Sequence, residues 1–143
     1  MKRLILEKLE KWKQSKRRKP LLLRGARQVG KTWVLKEFGN TFADGFVHID
    51  FDKQVEYRQF FEQTKDVKRI LDNLALATGK KITPKTLIIF DEIQACESAL
   101  NSLKYFYEDA PQYGVVGAGS LLGLKLASGF PVGKVEFLDM YPM

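Results

Sequence analysis

A three-layer α/β domain on a mostly parallel five-stranded sheet is what this sequence predicts, and three observations carry the prediction. Short apolar runs alternate with amphipathic stretches along the chain, a glycine-containing turn joins the first run to a helical pattern, and four consecutive apolar residues end in two carboxylates. Strands alternating with helices are joined by right-handed crossovers, which lays them parallel and puts helices on both faces.

Within residues 1–19, Ile5, Leu9 and Trp12 recur at helical spacing while Lys and Arg fill the other sides, which predicts a basic N-terminal helix ahead of a core over 20–143. Pro20 starts an apolar strand over 21–23 that runs into the turn, and a helix follows over 31–38, stopped by Gly39 and Asn40. A second strand is predicted over 46–51, then helices over 55–63 and 66–77, the latter with Val67, Ile70, Leu71 and Leu74 on one face. Pro84 precedes a strand over 86–90. A helix over 95–109 carries Cys96, Leu100, Leu103 and Tyr107 on one face, Pro111 breaks it, and a fourth strand is expected over 113–118. A short helix from Leu121, a Gly/Pro loop and a last strand over 135–140 follow. The stop at Tyr141, Pro142 and Met143 without a terminal helix is expected of a piece of a longer protein lacking a C-terminal lid and a further domain.

With 143 residues, 45% apolar and 29% charged, the composition is that of one soluble globular domain. The net charge of +7 is local: the first 20 residues hold nine of the 24 Lys and Arg against Glu7 and Glu10, which leaves fifteen of each sign elsewhere. Such a segment would attract nucleic acid through counterion release, whereas its helical spacing also fits a solvated face over a packed one. A single cysteine, Cys96, allows no internal disulfide and points to a reducing, cytoplasmic setting. The apolar run at 4–6 is too short for a signal peptide, and no stretch approaches the roughly 18 apolar residues of a membrane span.

The segment GARQVGKT fits G-x-x-x-x-G-K-[ST] at Gly25, Gly30, Lys31 and Thr32. Glycines let the backbone fold around a phosphate so that N–H groups from Gly25 through Ala26, Arg27, Gln28 and Val29 to Gly30 point at it. The helix N-terminus adds its positive dipole end, Lys31 reaches the β and γ oxygens, and Thr32 offers a hydroxyl to magnesium. A mere glycine turn would leave Lys31 at a helix N-terminus, where an unpaired cation is disfavoured.

LIIFDE, residues 87–92, reads as a strand buried on both faces whose tip opens onto a ligand crevice. Asp91 would hold magnesium and Glu92 would accept the proton of an attacking water, roles that need two carboxylates side by side at a strand end. The guanine-reading Asn/Thr-Lys-x-Asp segment is absent, because Thr64-Lys65-Asp66 lacks the spacer, so ATP is expected. No Arg follows Arg69, which argues against a small kinase with an arginine-bearing late lid.

With GARQVGKTWVLKEFG, FDEIQACESALNSLKYFYEDAP, GAGSLLG and FPVGKVEFLDMYP in view, the chain from about residue 21 onward resembles the N-terminal ATPase core of a prokaryotic AAA-type P-loop ATPase family. That core is usually followed by a C-terminal domain of uncharacterised function. The resemblance implies sheet order 5-1-4-3-2 and ATP as ligand. It implies Gly25 to Thr32 as Walker A, Asp91 and Glu92 as Walker B, and Ser120 as the polar sensor after the fourth strand. A helix cap is an alternative for Ser120, and Gln94 would orient water or sit in an exposed turn. Such enzymes commonly take an arginine from a neighbouring copy or a lid, and Arg27, Arg58 and Arg69 offer no clear counterpart. His48 is expected to make a single polar contact, and Trp33, Tyr105, Phe106 and Tyr107 to pack in the interior. A motor or switch ATPase, with a homo-oligomer as one form of the longer protein, heads the expected functions. An ATP-dependent module binding nucleic acid or protein, with little turnover, is the alternative.

Overall fold

Central strands made almost wholly of buried residues need cover on both faces, and the computed structural model, which describes residues 2–16, 18–25, 30–120 and 132–140, supplies it. The elements in chain order are α1 (Lys2–Gln14), β1 (Leu21–Arg24), α2 (Lys31–Gly39), β2 (Phe46–Asp50), α3 (Gln59–Glu62), α4 (Val67–Thr78), β3 (Leu87–Asp91), α5 (Glu97–Asp109), β4 (Gly114–Gly119) and β5 (Glu136–Asp139). Side chains alternate across each strand. Leu87 and Ile89 of β3 therefore join Leu21, Leu23 and Val116 under α1 and α2, where Ile5, Leu9, Trp12, Val34, Leu35 and Phe38 are buried. Ile88 and Phe90 face the other way, onto Phe61 of α3, Ile70 and Leu74 of α4, and Leu100, Leu103 and Phe106 of α5. The result is three layers.

The sheet runs β2-β3-β4-β1-β5, the 5-1-4-3-2 order counted from the other edge. All four strand pairs are parallel, with Asp50 opposite Asp91, Asp91 opposite Ala118, and Arg24 between Gly119 and Asp139. One end of the sheet thus gathers Asp50, Asp91, Gly119 and Arg24, the last residues of their strands.

Local differences from the sequence expectations have packing causes. The 55–63 segment forms a 3₁₀ turn (Val55–Tyr57) and then the single-turn α3, bent so that Phe61 seats edge-on against Phe51 and Phe90. Arg58 Nε secures the bend by donating to the Phe51 carbonyl at 2.9 Å. A 3₁₀ turn (Ile93–Ala95) precedes α5, which starts at Glu97 because Cys96 is extended at φ −132°. On α5 the buried aromatic is Phe106, not Tyr107. α4 begins where Asp66 accepts the Lys68 and Arg69 N–H groups and stops at Gly79, in the left-handed region at φ 71°. The helix expected from Leu121 lies outside the described residues, as does 141–143.

Several basic residues near α1 are tied to the body of the domain. Arg18 donates to the carbonyls of Gln112 (3.0 Å) and Pro84 (3.4 Å), Lys13 Nζ to the Thr41 carbonyl (3.1 Å), and Trp12 Nε1 to the Lys19 carbonyl (2.7 Å). Lys8, Lys11 and Lys16 are exposed.

Gly39, the last residue of α2, has no room for a side chain: an added Cβ would stand 2.6 Å from Phe46 Cβ. Alanine gains about 1 kcal/mol in helix propensity but overpacking costs about 1–3 kcal/mol, so Gly39→Ala is expected to be neutral to destabilising. A thermal melt checks this, and a clearly raised Tm would contradict the packing.

Candidate functional site

The chain leaves β1 at Arg24 and re-enters helix at Lys31. Gly30 caps α2 in the left-handed region (φ 85°, ψ 23°), a conformation that costs a β-carbon residue and explains the glycine. Ala26, Arg27, Gln28 and Val29 lie outside the described residues, while Gly25, Gly30, Lys31 and Thr32 lie within them. Lys31 is only 6% exposed, and its Nζ donates to the Gly25 carbonyl at 2.8 Å, so the ammonium is drawn back against the end of β1. It sits at the positive end of α2, where an anion is favoured and a buried cation is not.

Alternation sends Asp91, two residues beyond Ile89, toward the α2 side of the sheet. There its Oδ2 accepts from Thr32 Oγ1 at 2.6 Å and from His48 Nε2 at 2.9 Å, while its Oδ1 accepts from the Glu92 N–H at 3.0 Å. Burial raises the Asp91 carboxyl's pKa. The hydrogen bonds from His48 and Thr32, the His48 charge and the Glu92 N–H outweigh that, so its pKa falls below the ordinary value and the group is ionised. An ionised carboxylate only accepts, which makes His48 Nε2 the donor.

Glu92 turns the chain sharply at φ 51°, the one non-glycine residue with positive φ among those described. Its Oε2 accepts from Gln94 Nε2 at 2.7 Å. Gly30, Lys31, Thr32, Trp33, Asp50, Asp52, Lys53, Asp91 and Glu92 line an open cleft of about 380 Å³. A recess of about 420 Å³ between α3 and α5, lined in part by Glu62, Lys65, Ser102 and Tyr105, contains no comparable grouping. Arg24 and Asp139 form an ion pair at 2.7 Å that ties the end of β5 to the start of the loop.

The phosphate-loop residues within the described chain and the acidic pair are therefore brought together. Ser120 follows Gly119, the partner of Arg24, and stands at the same sheet end. His48, expected to make one polar contact, makes it with Asp91. The signal lay in the strand order, which puts β2 beside β3 and its alternate residues on the α2 face. Trp33 departs from its expected interior role: at 50% exposed it borders the cleft. The reason is its place on α2, one residue after Thr32 and off the face that carries Val34, Leu35 and Phe38.

A comparison with protein families matches the description "AAA domain" over residues 17–143. The chain belongs to the AAA domain family. It is thus an ATPase-type nucleotide-binding domain. A comparison with curated protein sequences gives no match. Among solved structures this AAA domain is similar to PCH-2 of C. elegans (TM-score 0.53, 13% identity, covering 96% of this chain and 42% of that one). It is similar also to AMPPCP-bound DnaA from Aquifex aeolicus (TM-score 0.53, 15% identity, 96% and 44%). The likeness is one of fold, and the chain spans less than half of either protein. Among the described residues of the AAA domain no helix is long and apolar enough to cross a membrane.

Proposed function

We propose that this domain binds ATP with magnesium in the cleft beside Lys31 and hydrolyses it as the motor or switch part of a larger protein. One observation carries the reading: a buried lysine at the positive end of α2 stands next to a threonine bonded to an ionised, buried aspartate. That arrangement suits a polyphosphate and its metal ion together. Gly25 to Thr32, with Ala26, Arg27, Gln28 and Val29 between the glycines, would wrap the phosphates. Thr32 and Asp91 offer hard oxygen donors that fit magnesium, which when bound would offset phosphate charge.

Glu92 lines the cleft and is the base of this reading. The water oxygen bonds to the γ-phosphorus, the bond to the β–γ bridging oxygen breaks, and the water's proton passes to Glu92, giving ADP and phosphate. Lys31 would accompany the charge on the phosphates, and Ser120 would contact the γ-phosphate as a polar sensor. The single buried thiol of Cys96 suits a cytoplasmic setting.

A second reading, ATP-dependent binding of nucleic acid or protein with little turnover by the lone chain, has its own support. Arg18, Arg24 and Arg58 are engaged with other groups of the domain, and no arginine appears among the cleft residues described. An arginine supplied by another copy would be worth about a thousandfold or more in rate. The exposed Lys8, Lys11 and Lys16 would supply the nucleic-acid contact.

Asp91→Asn tests the metal site. Without magnesium, affinity for ATP should be kept, while the tightening that magnesium brings should fall by about tenfold, as one charged oxygen ligand is lost. Titration calorimetry in magnesium and in EDTA checks it. An unchanged metal dependence in the variant would remove Asp91 from the site.

A further inference from the structure

We propose that Gln94 is the positioning residue that holds the Glu92 carboxylate toward the cleft, an inference that rests on the reading of Glu92 as the base. Gln94 Nε2 donates to Glu92 Oε2 at 2.7 Å, and Glu92 lines the cleft with Lys31 and Thr32 whereas Gln94 does not. The amide therefore stands behind the carboxylate and supports it from the protein side.

Glu92 needs that support. Its backbone lies at φ 51°, ψ 45°, a conformation that a side-chain-bearing residue keeps only when its surroundings over-determine it. Its N–H is held by Asp91 Oδ1 at 3.0 Å and its carbonyl by the Ala95 N–H at 3.0 Å. Those bonds fix the backbone, and the bond from Gln94 fixes the far end of the side chain. Because Asp91 also accepts from Thr32, the phosphate loop, the metal-holding carboxylate and the base form one connected group.

The state of the Gln94 amide supports the assignment. Its Oε1 is buried with no hydrogen-bond partner among the described residues. Turning the amide over would set Oε1 against the Glu92 carboxylate, two acceptors face to face, and bury the NH₂ in its place. Glu92 thus dictates which way Gln94 points, at the cost of an unsatisfied acceptor. A neutral donor suits a base: it orients the carboxylate without placing a full positive charge beside the oxygens that must take a proton.

Single-turnover ATP hydrolysis and equilibrium ATP affinity, measured in the full chain for Gln94→Met and the isosteric Gln94→Glu, test the proposal. Each variant should keep ATP affinity while the rate falls about tenfold. Combined with Glu92→Gln, neither should lower the rate further, since a residue acting through Glu92 has nothing left to orient. Equal fold-losses with and without Glu92, or lost ATP affinity in both variants, would show support for the site's structure instead and overturn the proposal. Wild-type rates in both variants while Glu92→Gln is impaired would overturn it and leave Glu92 as the base. A Glu92→Gln chain that hydrolyses ATP at the wild-type rate would remove the base reading itself, and the proposal with it.

Discussion

Replacing Lys31 with Ala is expected to abolish ATP binding, or to weaken it by about a hundredfold or more. The change deletes a charge-assisted contact to the phosphates, each such bond contributing about 1.5–3 kcal/mol, together with the point charge behind it. Its Nζ already lies beside the end of β1, bonded to the Gly25 carbonyl, an acceptor that it can exchange for phosphate oxygens. The fold should survive, because the substitution removes a buried cation from the positive end of α2. Calorimetric titration with ATP, beside a thermal melt, checks both halves. Wild-type affinity in the folded variant would mean that the nucleotide lies elsewhere.

Glu92→Gln is expected to separate binding from chemistry. Glutamine keeps the size and one hydrogen-bonding oxygen but cannot take the water's proton, so ATP affinity should persist while single-turnover hydrolysis falls by about a hundredfold or more. The adjacent carboxylate behaves differently because alternation and the turn at Glu92 set the two apart. Asp91 is buried against Thr32 and His48, while Glu92 is presented by a left-handed backbone and held by Gln94. An undiminished rate would favour a different base or the binding-module reading.

What was legible in the sequence follows from how local each signal is. Strand, phosphate loop and helix are contiguous, so Gly25, Gly30, Lys31 and Thr32 could be read with their context, and LIIFDE declares both its burial and its tip. Alternating patterns imply a parallel sheet with helices on both faces, but they do not order its strands. The order came from the resemblance and agrees with β2-β3-β4-β1-β5. The contact of His48 with Asp91 spans 43 residues and depends on that order, so only a polar contact of unnamed partner could be foreseen. Trp33 lies outside the interior for a different reason: helical spacing locates a face, and the face of α2 that packs is set by Val34, Leu35 and Phe38. The bend at 55–63 arises from seating Phe61 between Phe51 and Phe90, a tertiary demand that overrides a helical pattern.

One nucleotide with its metal is expected to occupy the cleft between α2 and the tip of β3. Titration of the wild-type chain with ATP, in magnesium and again in EDTA, tests it most directly. The expected result is one site per chain, tighter in magnesium than in EDTA and lost in the Lys31→Ala variant. Absence of ATP binding, or binding indifferent to both magnesium and Lys31, would contradict it.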